Sequence, residues 1–232
     1  MIAATYSRVV GKAKGNPCHV KSGPTGGQFC ATRGGGASSE KPINFIAGNP
    51  STMDNFLRRA SESWKKKLEG DHVQSIRKYT KDGNYNKRLN ADLRSGKPVG
   101  TREDTVKALD AAIAKHSFNK DIMVYRGVSA PLASKLTPGV VFKDKGYTST
   151  SLDFSIADDF SGFDRGAKGL VMRIRVPAGR KAAPINGLSS IPDENEVLLP
   201  RGSSYKVIGN ATGRYQGRTV SFLDVEVVGA TK

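Results

Sequence analysis

The pattern of apolar residues changes once along this chain, and that change constrains the fold more than any other feature. Up to about His116, apolar residues recur at helical spacing; beyond it they fall into short β-rich runs bounded by Gly or Pro. Upstream, Met53, Phe56, Leu57, Ala60, Trp64 and Leu68 trace one helix face. Ser51 with Asp54 reads as a capping box and Gly70 as the stop. Val73 with Ile76, and Leu89 with Leu93, predict two further helices, and Thr101 with Asp104 caps a fourth over Val106, Leu109 and Ile113. Downstream, strands are expected around Ile122 to Tyr125, Leu170 to Val176, Val197 to Leu199, Tyr205 to Ile208 and Val220 to Val228. Arg173 and Arg175 alternate with apolar neighbours, which predicts one wet face on their strand. Helices followed by strands argue for an α+β domain rather than a parallel α/β sheet. No Gly-x-Gly-x-x-Gly occurs, so nothing supports a Rossmann-type dinucleotide site.

The first 44 residues read differently. Gly15-Asn16-Pro17, Gly23-Pro24, Gly26-Gly27 and Gly34-Gly35-Gly36 sit among few large apolar residues, which predicts a flexible Gly-rich segment over 1–44. The domain proper is then 45–232, helical over 45–118 and β-rich over 119–232. The run from Asn16 to Cys30, with its Gly-Gly-Gln-Phe, is similar to short segments of phage head-associated proteins. Cys18 and Cys30 have no metal-type spacing, so reduced thiols are expected. The start is too short and too weakly apolar for a secretory signal, and no apolar run approaches the length of a membrane span. No membrane partner is therefore expected.

Of the 232 residues 37% are hydrophobic and 25% charged, enough to bury a core without metal or disulfide. The net charge of +16 has two explanations. It can be a solvated basic surface, or it can serve a polyanion such as nucleic acid or virion DNA. The basic residues are spread along the chain rather than clustered, which favours the first.

Three segments carry chemistry. Tyr125-Arg126-Gly127 places an arginine at the end of a strand. Gly146-Tyr147-Thr148-Ser149-Thr150-Ser151 is a hydroxyl cluster on a predicted strand. Glu194-Asn195-Glu196-Val197-Leu198-Leu199-Pro200-Arg201-Gly202 sets two carboxylates two residues apart at the start of another. Singly, each has a structural explanation: an ion-paired arginine, cross-strand hydroxyl pairing, solvated loop charges sharing one face.

In this order and spacing, Arg, Ser-Thr-Ser and Glu-x-Glu resemble the arginine–serine–glutamate class of mono-ADP-ribosyltransferases, toxin-like and phage-type members included. The match runs over roughly 71–228. The resemblance implies a core of two packed, mainly antiparallel sheets preceded by a helical region, with NAD as co-substrate and no metal. By it, Glu196 is the catalytic carboxylate, Ser149 orients it, Arg126 beside Gly127 grips the NAD phosphates, and Thr150 and Ser151 support the strand and the nicotinamide pocket. Ile76-Arg77-Lys78-Tyr79-Thr80 with Tyr85, Asn90 and Leu93-Arg94 resembles the helix lying over NAD, which adds Tyr79 to the cofactor residues. A phenylalanine and an arginine after the hydroxyl cluster are expected to stack on nicotinamide and to hold phosphate. Phe160 or Phe163, with Arg165, stand in that region. Glu194 implies arginine as acceptor, in a host target protein met in the cytoplasm of a host or target cell, or beside a virion. The preceding loop, Asn186 to Asp193, is expected to touch that acceptor and lacks the usual aromatic residue.

The residue chemistry agrees. Splitting the nicotinamide–ribose bond passes through an oxocarbenium-like state, which a fixed carboxylate stabilises. A planar guanidinium suits phosphate. An acceptor guanidinium is a poor nucleophile and gains from a neighbouring carboxylate that takes its proton. Two other functions stay open on the sequence: an NAD glycohydrolase, with water as acceptor, and a basic nucleic-acid-binding or virion-associated protein on a degenerate transferase fold.

Overall fold

The computed structural model describes residues 7–9, 41–45, 50–81, 84–128, 136–161 and 170–229. Four helices come first: α1 (Pro50–Lys65), α2 (Gly70–Lys81), α3 (Tyr85–Ser95) and α4 (Glu103–Ala114). Helix α1 buries Met53, Leu57, Ser61 and Trp64, a stripe at helical spacing, and burying each large apolar side chain stabilises by about 1.5–3 kcal/mol. The Trp64 indole donates to the Ala112 carbonyl at 2.8 Å and ties α1 to α4. Three expected helix signals act otherwise. Helix α1 starts at Pro50, the favoured first position for proline, so Ser51 lies inside it. Gly70 opens α2 instead of closing α1. Thr101 falls in a 3-10 turn (Gly100–Arg102), and α4 begins without a side-chain cap.

The strands are β1 (Ser7–Val9), β2 (Ile122–Val128), β3 (Val141–Lys143), β4 (Thr148–Ser151), β5 (Leu170–Val176), β6 (Ala183–Pro184), β7 (Glu196–Leu199), β8 (Ser204–Tyr215) and β9 (Arg218–Val228). A short helix, α5 (Phe154–Phe160), follows β4 and is capped by Asp153, whose carboxylate accepts from the Ser155 N–H. The sheet order is β1-β3-β8-β9-β5-β2-β4-β7-β6. Among the strands described, the pairings are antiparallel except β5 with β9. The expected pair of packed sheets is thus two wings of one hydrogen-bonded series. The wings meet where β2 pairs with β4 at Tyr125 and Ser151 alone. They close over a shared core in which Val124, Ile174 and Leu223 of one wing join Val197 and Leu199 of the other.

A second apolar cluster lies between the helices and the outer face of β7, built from Trp64, Ile76, Tyr79, Leu109 and Leu198. A third packs Phe154 and Ala157 of α5 onto Tyr125, Val171 and Phe222. The strand predicted to have a wet face has a paired one. Arg173 lies against Asp224 at 2.5 Å, and Arg175 against Asp121 and Glu226. Within the segment expected to be flexible, Ser7–Val9 pairs with β3, and Ile43 bridges to Ile122. The remainder up to residue 40 lies outside the described residues.

Candidate active site

Strand alternation decides which groups meet. On β4, Thr148 and Thr150 turn to the shared core while Ser149 turns to the helices, where Glu196 and Leu198 of the paired strand also point. The Thr150 hydroxyl is spent on the Val197 carbonyl at 2.6 Å, which clamps β4 to β7. The Ser151 hydroxyl donates to the Glu194 carbonyl at 2.7 Å and accepts from the Asp153 N–H. Both residues hold the backbone around the carboxylates, which is the strand-supporting part of their expected role.

Between the carboxylates the chain turns sharply. Pro192–Glu194 forms a 3-10 turn, and Asn195 then takes a left-handed conformation, φ 48° and ψ 44°. Asn is among the few residues that accept this region, and such conformations gather at functional sites. The turn keeps Glu194 outside the strand that Glu196 opens, so the pair does not sit on one strand as simple alternation assumes. Glu194 ends the turn half-buried, and Glu196 starts β7 with only 7% of its surface exposed.

Burial is what shapes the Glu196 carboxyl. Desolvation raises its pKa from 4.5 to about 7, opposed by a hydrogen bond from Ser149 and assisted by the charge of Glu194, with Arg126 pulling down. Burial also raises Glu194. Arg126, at the end of β2, donates through Nη1 to the Ser149 carbonyl at 2.6 Å. Arginine, hydroxyl strand and carboxylate are therefore one assembly, as the order of the motifs predicts.

Tyr79, expected at the cofactor, is wholly enclosed. Its hydroxyl accepts from Asn90 Nδ2 at 2.8 Å and lies 3.5 Å from Ser149 Oγ. Burial pushes its pKa up to about 12. Tyr79 thus touches the site at Ser149. Asn90 and Arg94 are buried too. Asn90 Oδ1 accepts from the Tyr147 N–H at 2.8 Å, and Arg94 makes a two-pronged pair with Asp144 at 2.8 and 2.9 Å. Asp144 also accepts from the Gly146 N–H and the Thr148 hydroxyl. Gly146 is required there, since a Cβ would stand 2.9 Å from Asn90 Oδ1 and 3.2 Å from the Arg94 guanidinium. Sequence reasoning missed Asp144, which stands between two lysines like any surface acid.

Gly127 has a packing role. It lies on the face of β2 opposite Arg126, and a Cβ would stand 2.3 Å from the Ala157 carbonyl oxygen of α5. Phe160, at the end of α5, is 63% exposed, so core packing does not explain it. Phe163 and Arg165 lie outside the described residues. In the loop before the carboxylates, which lacks an aromatic residue, Ile191 is 48% exposed and forms an aliphatic tip. Glu69, Asp71 and His72 gather at the opposite end of α2 from Tyr79. They are engaged locally, Glu69 with Lys115 at 3.0 Å and His72 Nδ1 with the Glu69 N–H.

The sequence profile of the ADP-ribosyltransferase exoenzyme family matches residues 53–228. The chain belongs to that family. A relative from Enterococcus faecalis, named an NAD(+)–arginine ADP-ribosyltransferase, is 33% identical over 154 residues, 65% of this chain and 31% of that protein. This chain therefore spans about a third of that longer relative. Among solved structures, Plx2a, an ADP-ribosyltransferase toxin from Paenibacillus larvae, has a TM-score of 0.67 at 20% identity, covering 81% of this chain and 100% of that one. C3stau2 from S. aureus, solved with NAD, has a TM-score of 0.66 at 21% identity, covering 82% of this chain and 100% of that one. These two likenesses establish the fold.

Proposed function

We propose that this chain is a mono-ADP-ribosyltransferase that cleaves NAD at the nicotinamide–ribose bond and passes ADP-ribose to an arginine of a target protein. The observation that carries this reading is Glu196, a carboxylate buried at the start of a strand, hydrogen-bonded by Ser149 and faced by Arg126. A desolvated, pre-positioned carboxylate stabilises a developing oxocarbenium cation far better than a hydrated one. NAD carries a cationic nicotinamide ring, and a positive charge nearby favours the ionised form of Glu196. Arg126 commits one donor to Ser149, which leaves other N–H groups of its fork for the pyrophosphate.

Glu194 supports arginine as the acceptor. Burial raises its pKa, which makes it a stronger proton acceptor for a guanidinium attacking the ribose. Its position is fixed through its own backbone by Ser151. The name of the Enterococcus relative points the same way. Ile191 offers an exposed aliphatic contact to the target beside these carboxylates.

A Glu194→Gln variant tests the acceptor. With labelled NAD and an arginine-bearing acceptor protein, label transfer is expected to fall at least about tenfold, while nicotinamide release into water persists. Transfer at the wild-type rate would refute the arginine assignment. Nicotinamide release with no labelled protein in the wild type would identify a glycohydrolase instead.

A further inference from the structure

A groove of about 510 Å³ opens at the far end of the β4–β7 pair from Glu196, between α3, α4, the end of β3 and the turn after β7. Its size is that of a ligand or short-peptide site. Leu93 and Pro200 give it an apolar floor, and Lys143, Lys145 and Lys181 stand around it. Lys143 and Lys145 are exposed, and Lys181 is half-buried.

The charges here are unbalanced. Asp110 also lines the groove, but its carboxylate is bound by Arg201 at 2.7 Å and accepts from the Tyr147 hydroxyl at 2.7 Å. Among the described residues, no carboxylate forms an ion pair with Lys143, Lys145 or Lys181. Three unopposed cations around one concavity focus positive potential and attract an anionic partner.

The lining discriminates between polyanions. It contains no aromatic ring on which a base could stack, and its one guanidinium is already occupied. Its apolar floor suits aliphatic side chains, which a phosphate backbone lacks. We propose that this groove docks an acidic, aliphatic segment of a partner protein, with carboxylates on the three lysines and an aliphatic side chain against Leu93 and Pro200. At about 3.3 Å per strand residue, the groove lies roughly 15 Å from Glu196, so an occupant leaves the catalytic end open.

Fluorescence anisotropy with a labelled Glu-Glu-Leu-Glu-Glu-Leu peptide tests this on the full chain, beside a thymidine oligonucleotide of equal charge. The peptide is expected to bind, to weaken with salt, and to bind at least about tenfold more weakly to a Lys143→Glu/Lys145→Glu/Lys181→Glu variant. NAD cleavage by that variant is expected to match wild type, which also reports its fold. Should the triple variant not fold, the exposed Lys145→Glu change alone must still weaken the peptide. Absence of peptide binding, binding indifferent to these substitutions, or tighter binding of the oligonucleotide through the same lysines would overturn the proposal.

Discussion

Two buried polar clusters flank the β4–β7 pair, and they differ in how their charges are matched. At the Thr148 end, the Asp144 carboxylate has a two-pronged guanidinium, a backbone N–H and a hydroxyl. At the Ser151 end, Glu196 has one hydroxyl, a partial counter-charge from Arg126 and a second carboxylate beside it. Both acids are hidden from water, at 3% and 7% exposure. The first is satisfied, and it fixes the loop that delivers β4. The second has a weaker counter-charge, and burial raises its pKa, a pattern frequent at functional sites.

The largest expected effect falls on the matched cluster. Asp144→Ala leaves the Arg94 guanidinium buried without its partner and is expected to destabilise the fold by about 3–5 kcal/mol in denaturant unfolding. A loss below about 1 kcal/mol would show that Arg94 is readily hydrated and that the two clusters do not differ in this way.

The unmatched cluster should respond in the opposite sense. The Glu196 carboxyl titrates near pH 7 when folded, against 4.5 ordinarily, so folding favours its protonated form. That contribution is complete below pH 4.5 and is lost as pH rises through about 7. Glu196→Gln, always neutral, is therefore expected to be more stable than wild type at pH 8.5, by on the order of 3 kcal/mol relative to their difference at pH 4.5. Melting temperatures measured at both pH values check this. A difference independent of pH would mean that Glu196 is not desolvated.

A smaller effect sharpens the picture of how Ser149 is held. Tyr79→Phe removes the hydroxyl between Asn90 and Ser149 and is expected to lower stability by about 1 kcal/mol. It should also reduce the turnover of NAD cleavage several-fold with little change in KM. A change in KM alone would return Tyr79 to a ligand-contacting role.

Much of this was legible from residue pattern, but unevenly. The switch from helical spacing to short β runs placed the helices and long strands because burial of one face imposes those periods. The three motifs converge because β2, which carries Arg126, pairs with β4, which carries the hydroxyls, and β4 pairs with β7, which Glu196 opens. What the sequence concealed depends on partners far along the chain. Asp144 pairs with Arg94 across 50 residues. Gly127 is required by the backbone of α5. Tyr79 carries the polar tip of a surface aromatic yet is enclosed, since α2 packs flush on Tyr147 and Ser149. The two packed sheets that the resemblance implies are joined by a single residue pair, which no sequence pattern marks.

In the proposed function, Glu196 is the carboxylate that stabilises the cation formed from NAD, and this role makes a direct prediction. It is tested most directly by the pH–rate profile of nicotinamide release for wild type and Glu196→Gln. The wild-type kcat/KM is expected to rise with pH through about 7, where Glu196 ionises. The variant is expected to be slower by about two to three orders of magnitude and to lose that rise. A Glu196→Gln enzyme that releases nicotinamide at the wild-type rate, with the same pH dependence, would contradict the account.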